Sequence, residues 1–533
     1  MKKVTAEIQQ RGNIPFAVFL SAFLLSLPLG AVEVGDVVFK TSFDEPDALG
    51  RWSGSRAESV SLGDGTLRVS LPAEGDAKHA AVTQKLAVEP LRGTRLRVSG
   101  RIKAENVVPP PQAYNGMKMM LILDTPGGKQ WLQRNSVWGT FDWKEVTFTA
   151  NVPEDATDAT LQIGIENTTG TVWFDEIAIT VIGKKRPRPA VRPSGPVYKG
   201  HDLPRLRGAM INPDTFKPED LKVLAGDWKA NHVRWQLLWA GFPNGPADTA
   251  TVEEFNAWIE AQCEQLDRLL PELERYGVRV TLDLHTPPGG RMPRLEGATM
   301  RLFHEQKFQD AFIAVWQKLA RRYKDAKPIW CYDLLNEPVE GDMPAGLLDW
   351  RELALKTAKA IRAIDPVKAI VIEPAPWGDP NALEWFEPFD PKDVPNVLYS
   401  VHMYLPHQFT HQGVYDSPAG LVYPGTIGGK DWDKEQIRRA LQVPRNFAND
   451  HGVAMYIGEF GSIRWAPDNS TYRYLRDCIE VFEEEGWDWA YHAFREWDGW
   501  SVEHGPDRDD RKPAAEPTDR QLLLRRWFEK NAR

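Results

Sequence analysis

Two kinds of hydrophobic patterning divide the chain. From about residue 33 to 183, apolar positions alternate with polar ones: Leu96, Val98 and Ile102 share one parity, as do Val146, Phe148 and Ala150, and later Leu161, Ile163 and Ile165. Clusters of Gly, Pro and Asp separate these runs, and no long helical period interrupts them. A period of two broken by turn residues predicts an all-β sandwich. In the last run, Thr171–Val181, the residues Trp173, Asp175, Ile177, Ile179 and Val181 fall on one parity. That places Asp175 toward the apolar side, where a carboxylate needs a bound Ca²⁺ or a hydrogen-bond network.

From residue 201 onward the pattern changes to short apolar runs alternating with amphipathic helical stretches. Candidate strands are Leu206–Ile211, His232–Leu237, Val278–Leu284, Ile329–Leu335, Ala369–Ile372, Val397–Val401, Ala454–Ile457 and Trp487–Ala493. Helices are expected at 218–229, 251–276 (kinked or split at Pro271), 305–324, 345–364, near 381–386, at 434–449, 470–485 and Arg520–Asn531. Eight strand–helix pairs predict an α/β fold, a (β/α)8 TIM barrel. A doubly wound open sheet would place a Gly-rich phosphate loop after the first strand, and Arg207-Gly-Ala-Met-Ile-Asn-Pro-Asp is not one.

The stretch between, 184–200, is basic and rich in Pro, which predicts an extended connector. The expected organisation is a β-sandwich at 32–183, a linker at 184–200 and a barrel at 201–533. Residues 1–31 read as an export signal: Lys2, Lys3 and Arg11 precede an apolar stretch, Ile14–Leu29, which Pro15, Ser21, Ser26 and Pro28 break up. The expected location is therefore outside the cytoplasm, secreted or periplasmic, with no stable membrane insertion once the signal is cleaved.

Composition narrows the function. The chain has 533 residues and a formal net charge of -9, from 65 basic and 74 acidic residues, which gives no electrostatic footprint for a nucleic-acid partner. Its 21 Trp are enough to supply both core and aromatic platforms of the kind that stack on sugar rings. The three cysteines, Cys263, Cys331 and Cys478, lie in apolar-patterned segments and predict buried thiols. No Cys/His spacing suits a metal.

Chemistry in a barrel collects at the C-terminal ends of its strands. There the sequence delivers Arg234 (strand two), Asp283 and His285 (strand three), Asp333, Asn336 and Glu337 (strand four), His402 and Tyr404 (strand six), Glu459 (strand seven), and Glu496 with Trp497 after strand eight. Glu337 precedes Pro338, which favours extended backbone and predicts that it still lies on the strand end. Gly458 leaves room for other groups beside Glu459. Strands four and seven face each other across the barrel mouth. Two carboxylates there suit glycosidic bond cleavage, one protonating the leaving oxygen and the other attacking the anomeric carbon.

Asn336-Glu337-Pro338 and Gly458-Glu459-Phe460, together with Val233-Arg234, Asp283-Leu-His285, Tyr332-Asp-Leu-Leu and His402-Met-Tyr404, resemble glycoside hydrolase family 5, the cellulase-like family, over residues 204–531. The resemblance implies a retaining β-glycosidase that needs no cofactor or metal for catalysis. It implies Glu337 as acid/base and Glu459 as nucleophile. Asn336 would bond the sugar 2-hydroxyl, and Arg234 would keep Glu459 ionised. His285 and His402 would contact sugar, and Tyr404 would bond to Glu459. The family usually carries a sugar-stacking Trp on strand eight. Here His492 occupies that position, or Trp497 serves as the platform after a shift; Glu496 is an unexpected charge beside them.

The sandwich, through Trp143-Lys-Glu-Val-Thr-Phe and Gly170-Thr-Val-Trp-Phe-Asp-Glu-Ile, resembles jelly-roll carbohydrate-binding modules of families 4 and 9. That implies glycan binding, often with a structural calcium, and makes Trp52, Trp131 and Trp138 candidate stacking residues. The expected substrate is a β-linked poly- or oligosaccharide, β-1,4-glucan first, with β-mannan, xyloglucan and short β-glucosides behind it, acted on by a monomer. A non-catalytic glycan-binding protein on a degenerate barrel is the competing class, and the presence of both glutamates argues against it.

Overall fold

A computed structural model describes residues 32–531 apart from 46, 55–58, 74–78, 113, 136, 186–192, 194, 241–244, 292–298, 342, 345, 415 and 416. The export signal expected at 1–31 and most of the Pro-rich stretch therefore lie outside the described residues. Two compact units meet at Lys184 and Lys185.

The first unit holds two antiparallel sheets. One runs in the order Val60–Gly63, Thr66–Leu71, Gly170–Lys184, Thr94–Val107, Gly139–Asn151, with Val37–Thr41 also paired to Gly170–Lys184. The other runs Ser53–Gly54, His79–Leu86, Asp158–Glu166, Gly116–Thr125, Gly128–Gln133. Leu67, Val98, Ile102 and Phe174 from one sheet and Met119, Leu121, Leu161 and Ile163 from the other form a shared apolar core. Alternation along each strand is what allows one face to be dry and the other wet.

The inward placement of Asp175 is overturned. Pairing with the neighbouring strand slips between Asp175 and Ala178, where Glu176 adopts φ 47°. This bulge inserts one residue and inverts the parity. Val172 and Phe174 are inside before it, and Ile177, Ile179 and Val181 after it. Asp175 faces outward, and its Oδ1 accepts from the Glu176 backbone N–H at 2.7 Å. Of the three candidate platforms, Trp52 packs on Phe39 and Phe43, while Trp131 and Trp138 are 61% and 46% exposed.

The second unit is a closed parallel barrel of β1 (Arg207–Ile211), β2 (His232–Gln236), β3 (Arg279–Asp283), β4 (Ile329–Asp333), β5 (Ala369–Ile372), β6 (Val397–Met403), β7 (Met455–Phe460) and β8 (Asp488–Tyr491), with β8 pairing back to β1. The longer helices are α1 (Val252–Arg275), α2 (Gln306–Tyr323), α3 (Trp350–Arg362), α4 (Lys434–Ala440), α5 (Gln442–His451), α6 (Ser470–Glu485) and α7 (Asp519–Phe528). The expected helix at 218–229 is a single α-turn, Pro218–Leu221, continued by a wider π-type turn. The α1 helix shows the local logic. Phe255, Ile259, Cys263, Leu266, Leu269 and Leu273 recur on one buried face at helical spacing. Thr251 and Glu254 close its N-terminus reciprocally, at 2.8 and 3.2 Å. The helix runs on through Pro271, which falls in its last turn and does not split it.

Leu206, Met210, Val371, Leu398, Tyr456 and Ala490 fill the barrel interior. All three cysteines are buried free thiols. Tyr198 Oη donates to Val367 O at 3.1 Å and Trp330 Nε1 donates to Lys199 O at 3.0 Å, so the chain is already attached to the barrel before residue 201. None of the helices among the described residues is long and apolar enough to cross a membrane.

Candidate active site

Alternation along β2 turns His232, Arg234 and Gln236 to the barrel interior. Arg234 is fully buried and sits at the centre of a carboxylate cluster. Its Nη1 donates to Glu459 Oε1 at 2.7 Å, its Nη2 to Glu373 Oε1 at 2.8 Å and its Nε to Asp333 Oδ2 at 3.0 Å; Asp283 Oδ1 lies 3.2 Å from Nη2. Nη1 and Nη2 both also donate to Asn336 Oδ1 at 3.1 Å. Burial opposes the charge on Arg234, but the four carboxylates more than offset it and hold the guanidinium protonated far above its ordinary value.

Glu459 reaches this interior because β7 is irregular. Its register against β6 slips between Val401–Ile457 and His402–Glu459, so Glu459 points inward where strict alternation from Tyr456 would turn it out. Gly458 makes the bend tolerable: a Cβ there would stand 2.7 Å from Ser400 Oγ and 3.0 Å from His402 Nε2. Glu459 Oε2 accepts from Tyr404 Oη at 2.8 Å and lies 3.4 Å from His492 Nδ1 and 3.6 Å from His402 Nδ1. Burial alone would raise its pKa; His402, His492, Arg234 and His285 together push it far below the usual carboxylate range, so Glu459 is ionised.

Glu337 does not continue β4. The strand ends at Asp333, and Glu337 adopts φ 46°, in the left-handed region rather than the extended one expected before Pro338. Its backbone N–H is captured by Glu373 Oε2 at 2.8 Å, and its Oε1 accepts from His402 Nδ1 at 2.9 Å. The His402 ring has carboxylate oxygens on both nitrogens, with Nε2 donating to Glu373 Oε1 at 3.0 Å. When both carboxyl groups are ionised, two acceptor partners call for two donors, which is an imidazolium. Burial works against that charge, and Glu373, Glu459 and Glu337 overcome it, raising His402 well above its ordinary value. One carboxylate oxygen of Glu337, one of Glu459 and one nitrogen of His402 lie within 4.8 Å of one another. As an imidazolium, His402 offers this trio no lone pair for a cation.

Glu373 is the residue the sequence reading missed. It follows β5 on the same parity as Ala369 and Val371, so alternation puts it inside, and it ties Arg234, His402 and the Glu337 backbone together. Its signal is that of the other strand ends: in Ile372-Glu373-Pro374 a carboxylate directly follows an apolar strand.

The remaining predicted residues divide. His285 meets Asp283 Oδ2 through Nδ1 at 2.9 Å and Asn336 Nδ2 through Nε2 at 3.2 Å, within the cluster. Tyr404 joins it through Glu459 and also contacts His492 Nδ1. Among the described residues Trp497 has no hydrogen bond to the cluster. It is 40% exposed and stands edge-on to Trp465 and Trp500, with ring centroids 5.9 and 5.8 Å away. His492 is the residue at the end of β8, its ring stacked on Trp500 at 5.5 Å and 28°. Trp235, on β2, is fully buried, and Trp239, just after it, stacks on Trp258 at 5.1 Å.

The model of the family described as cellulase (glycosyl hydrolase family 5) matches residues 198–498. Endoglucanase C of Acetivibrio thermocellus is 28% identical over 297 residues, 51% of this chain and 82% of that protein. Cellodextrinase A of Ruminococcus flavefaciens is 24% identical over 277 residues, 51% of this chain and 77% of that protein. A solved structure described as a glycoside hydrolase is 24% identical with a TM-score of 0.48, covering 61% of this chain and 99% of its own. The family match spans more than half of the chain, which therefore belongs to glycosyl hydrolase family 5 and is a β-glycoside hydrolase.

Proposed function

We propose that this protein is a secreted, retaining β-glycosidase that cleaves β-1,4-linked glucan by double displacement, with Glu337 as acid/base and Glu459 as nucleophile. One observation carries the reading: carboxylate oxygens from opposite sides of the barrel mouth lie within 4.8 Å of each other. So close an approach of nearest oxygens supports the retaining arrangement, whose carboxyl groups stand roughly 5–5.5 Å apart, over the inverting one, whose groups stand roughly 6.5–9.5 Å apart to admit a water. The ionised Glu459, with its oxygens held by Arg234 and Tyr404, suits a nucleophile aimed by its neighbours. Glu337 is the more solvent-reachable of the two, 22% exposed against 4%, as a residue that hands a proton to a leaving group and then activates water should be.

In this reading Asn336, His285, His402 and Tyr404 contact the reacting sugar, and Trp497 offers a stacking surface further out. The printed names of the relatives, endoglucanase and cellodextrinase, favour β-1,4-glucan and its oligosaccharides; a β-xylosidase of Phanerodontia chrysosporium, 27% identical over 248 residues, keeps other β-linked sugars in view. The sandwich unit holds glycan near the barrel, with exposed Trp131 and Trp138 as its stacking residues. A structural calcium in that unit, a monomeric state and export through residues 1–31 complete the proposal.

The experiment is a panel of soluble β-1,4-glucan, β-mannan, xyloglucan and aryl β-glucosides with product analysis, run with wild type and Glu459→Ala. Reducing-sugar release by wild type alone supports the reading. No release on any β-linked substrate would overturn it.

A further inference from the structure

Glu496 has no part in the chemistry above. Gln236 lies two residues beyond Arg234 on β2, so it points to the same interior one step nearer the rim. Its Nε2 donates to Glu496 Oε2 at 2.7 Å, while its Oε1 is buried without a hydrogen-bond partner. His492 Nε2 stands 3.6 Å from the same Glu496 Oε2, and its Nδ1 stands 3.4 Å from Glu459 Oε2. Glu496 is thus one imidazole away from the nucleophile. Its own Oε1 takes no hydrogen bond among the described residues, and the side chain keeps 17% of its surface open to solvent. His492, Gln236 and burial act on the carboxyl together; burial would raise its pKa, but the other two lower it, so the group is ionised.

Two acceptor atoms on neighbouring side chains, Glu496 Oε1 and Gln236 Oε1, therefore stand beside the reaction centre without a donor among the described residues. A buried acceptor such as Gln236 Oε1 costs free energy until a donor reaches it, and a bound ligand can bring one. A sugar ring is rich in hydroxyl donors along its edge, and an apolar stacking platform would offer such hydroxyls nothing.

Building on the β-glycosidase reading, we propose that Glu496, backed by Gln236, is a substrate-binding residue of the reacting-sugar subsite, accepting hydrogen bonds from adjacent free hydroxyls of that sugar. The subsite then takes an undecorated, neutral sugar unit and rejects one whose hydroxyls at that edge are substituted or missing.

The test compares wild type, Glu496→Gln and Glu496→Ala on 4-nitrophenyl β-cellobioside and on analogues in which single hydroxyls of the sugar next to the nitrophenyl group are replaced by hydrogen. Removing a charge-assisted hydrogen bond lowers kcat/KM by about tenfold to a hundredfold. Glu496→Ala should show that loss on the parent substrate and little further loss on the analogue missing the bonded hydroxyl, a non-additivity that a merely structural role does not produce. Glu496→Gln keeps the shape of the side chain and carries the comparison if the Ala variant does not fold. Equilibrium binding of cellotriose, read by Trp fluorescence with Glu459→Ala added to each form, reports the same contact without turnover and should weaken by a similar factor. Unchanged binding and equal losses on parent and all analogues would overturn the assignment. Wild-type protein that binds cellotriose but does not hydrolyse the cellobioside would contradict the hydrolase reading, while the binding comparison still decides on Glu496.

Discussion

Arg234 donates to Glu459 at 2.7 Å with the same guanidinium that reaches Asp283, Asp333 and Glu373. One cation thus orients the nucleophile and ties together the carboxyl groups at the base of the cleft. Deleting one member of a buried ionic cluster leaves its partners charged and unpaired, which costs about 3–5 kcal/mol. Arg234→Met should therefore lose stability of that order in urea melts and abolish turnover. Wild-type stability in the variant would show that the carboxylates do not depend on Arg234.

The Tyr404 hydroxyl should matter for rate more than for stability. It bonds Glu459 Oε2 and contacts His492, both at the mouth of the cleft. Tyr404→Phe removes the hydroxyl and keeps the ring, and should lower kcat by about tenfold to a hundredfold. Steady-state kinetics with a melting curve separates the two effects; an unchanged kcat would remove Tyr404 from the machinery.

The pH profile follows from the charges. Glu459 is held ionised to well below the usual carboxylate range, so the acid limb of the rate should be displaced to low pH. The alkaline limb belongs to the acid/base step, in which a proton must be handed to the leaving oxygen. The expected kcat/KM profile is a bell with its maximum on the acidic side of neutral. His402 and His492 have folded values above their ordinary one, burial opposing and the surrounding carboxylates prevailing. Their contribution to stability is complete below the ordinary histidine value and is lost as pH rises through the raised ones. Melting temperature should accordingly fall on the alkaline side. A flat rate profile from mildly acid to mildly alkaline pH would contradict the pairing.

Roles of the two glutamates separate by leaving group. Glu459→Ala should be inactive on every substrate. Glu337→Ala should still glycosylate Glu459 when the leaving group is a dinitrophenolate, and added azide should then speed release. Identical responses of the two variants would mean that the roles are misassigned.

The two units should work apart. Because Tyr198 and Lys199 are bonded to the barrel, a truncated protein should begin at Gly195 rather than at 201. It should hydrolyse soluble glucan at close to the full-length rate and lose activity chiefly on insoluble glucan, where tethering raises the local concentration of the barrel. Equal activity on both forms would make the sandwich a spacer.

Long apolar runs and helical periods made the barrel legible, and the rim rule brought out Arg234, His285, Asn336, Glu337, His402, Tyr404 and Glu459. What alternation could not foresee is where it fails. The bulge at Glu176 turned Asp175 outward, and the slip at Gly458 turned Glu459 inward. Neither is coded by a period of two. The left-handed turn at Glu337 is held by Glu373, a tertiary contact that outweighs the local bias of the following proline. Glu373 itself was readable, on the inward parity at the end of β5. Trp497, the alternative platform to His492, stands in an aromatic group with Trp465 and Trp500, and Trp500 in turn stacks on His492.

The central claim, displacement by Glu459 with Glu337 as acid/base, is tested most directly by the anomer released first. Proton NMR of an aryl β-cellobioside during the first minutes of hydrolysis should show the β-anomer of the product appearing before the α-anomer grows in by mutarotation. Initial appearance of the α-anomer would mean inversion and would contradict a covalent glycosyl-Glu459 intermediate.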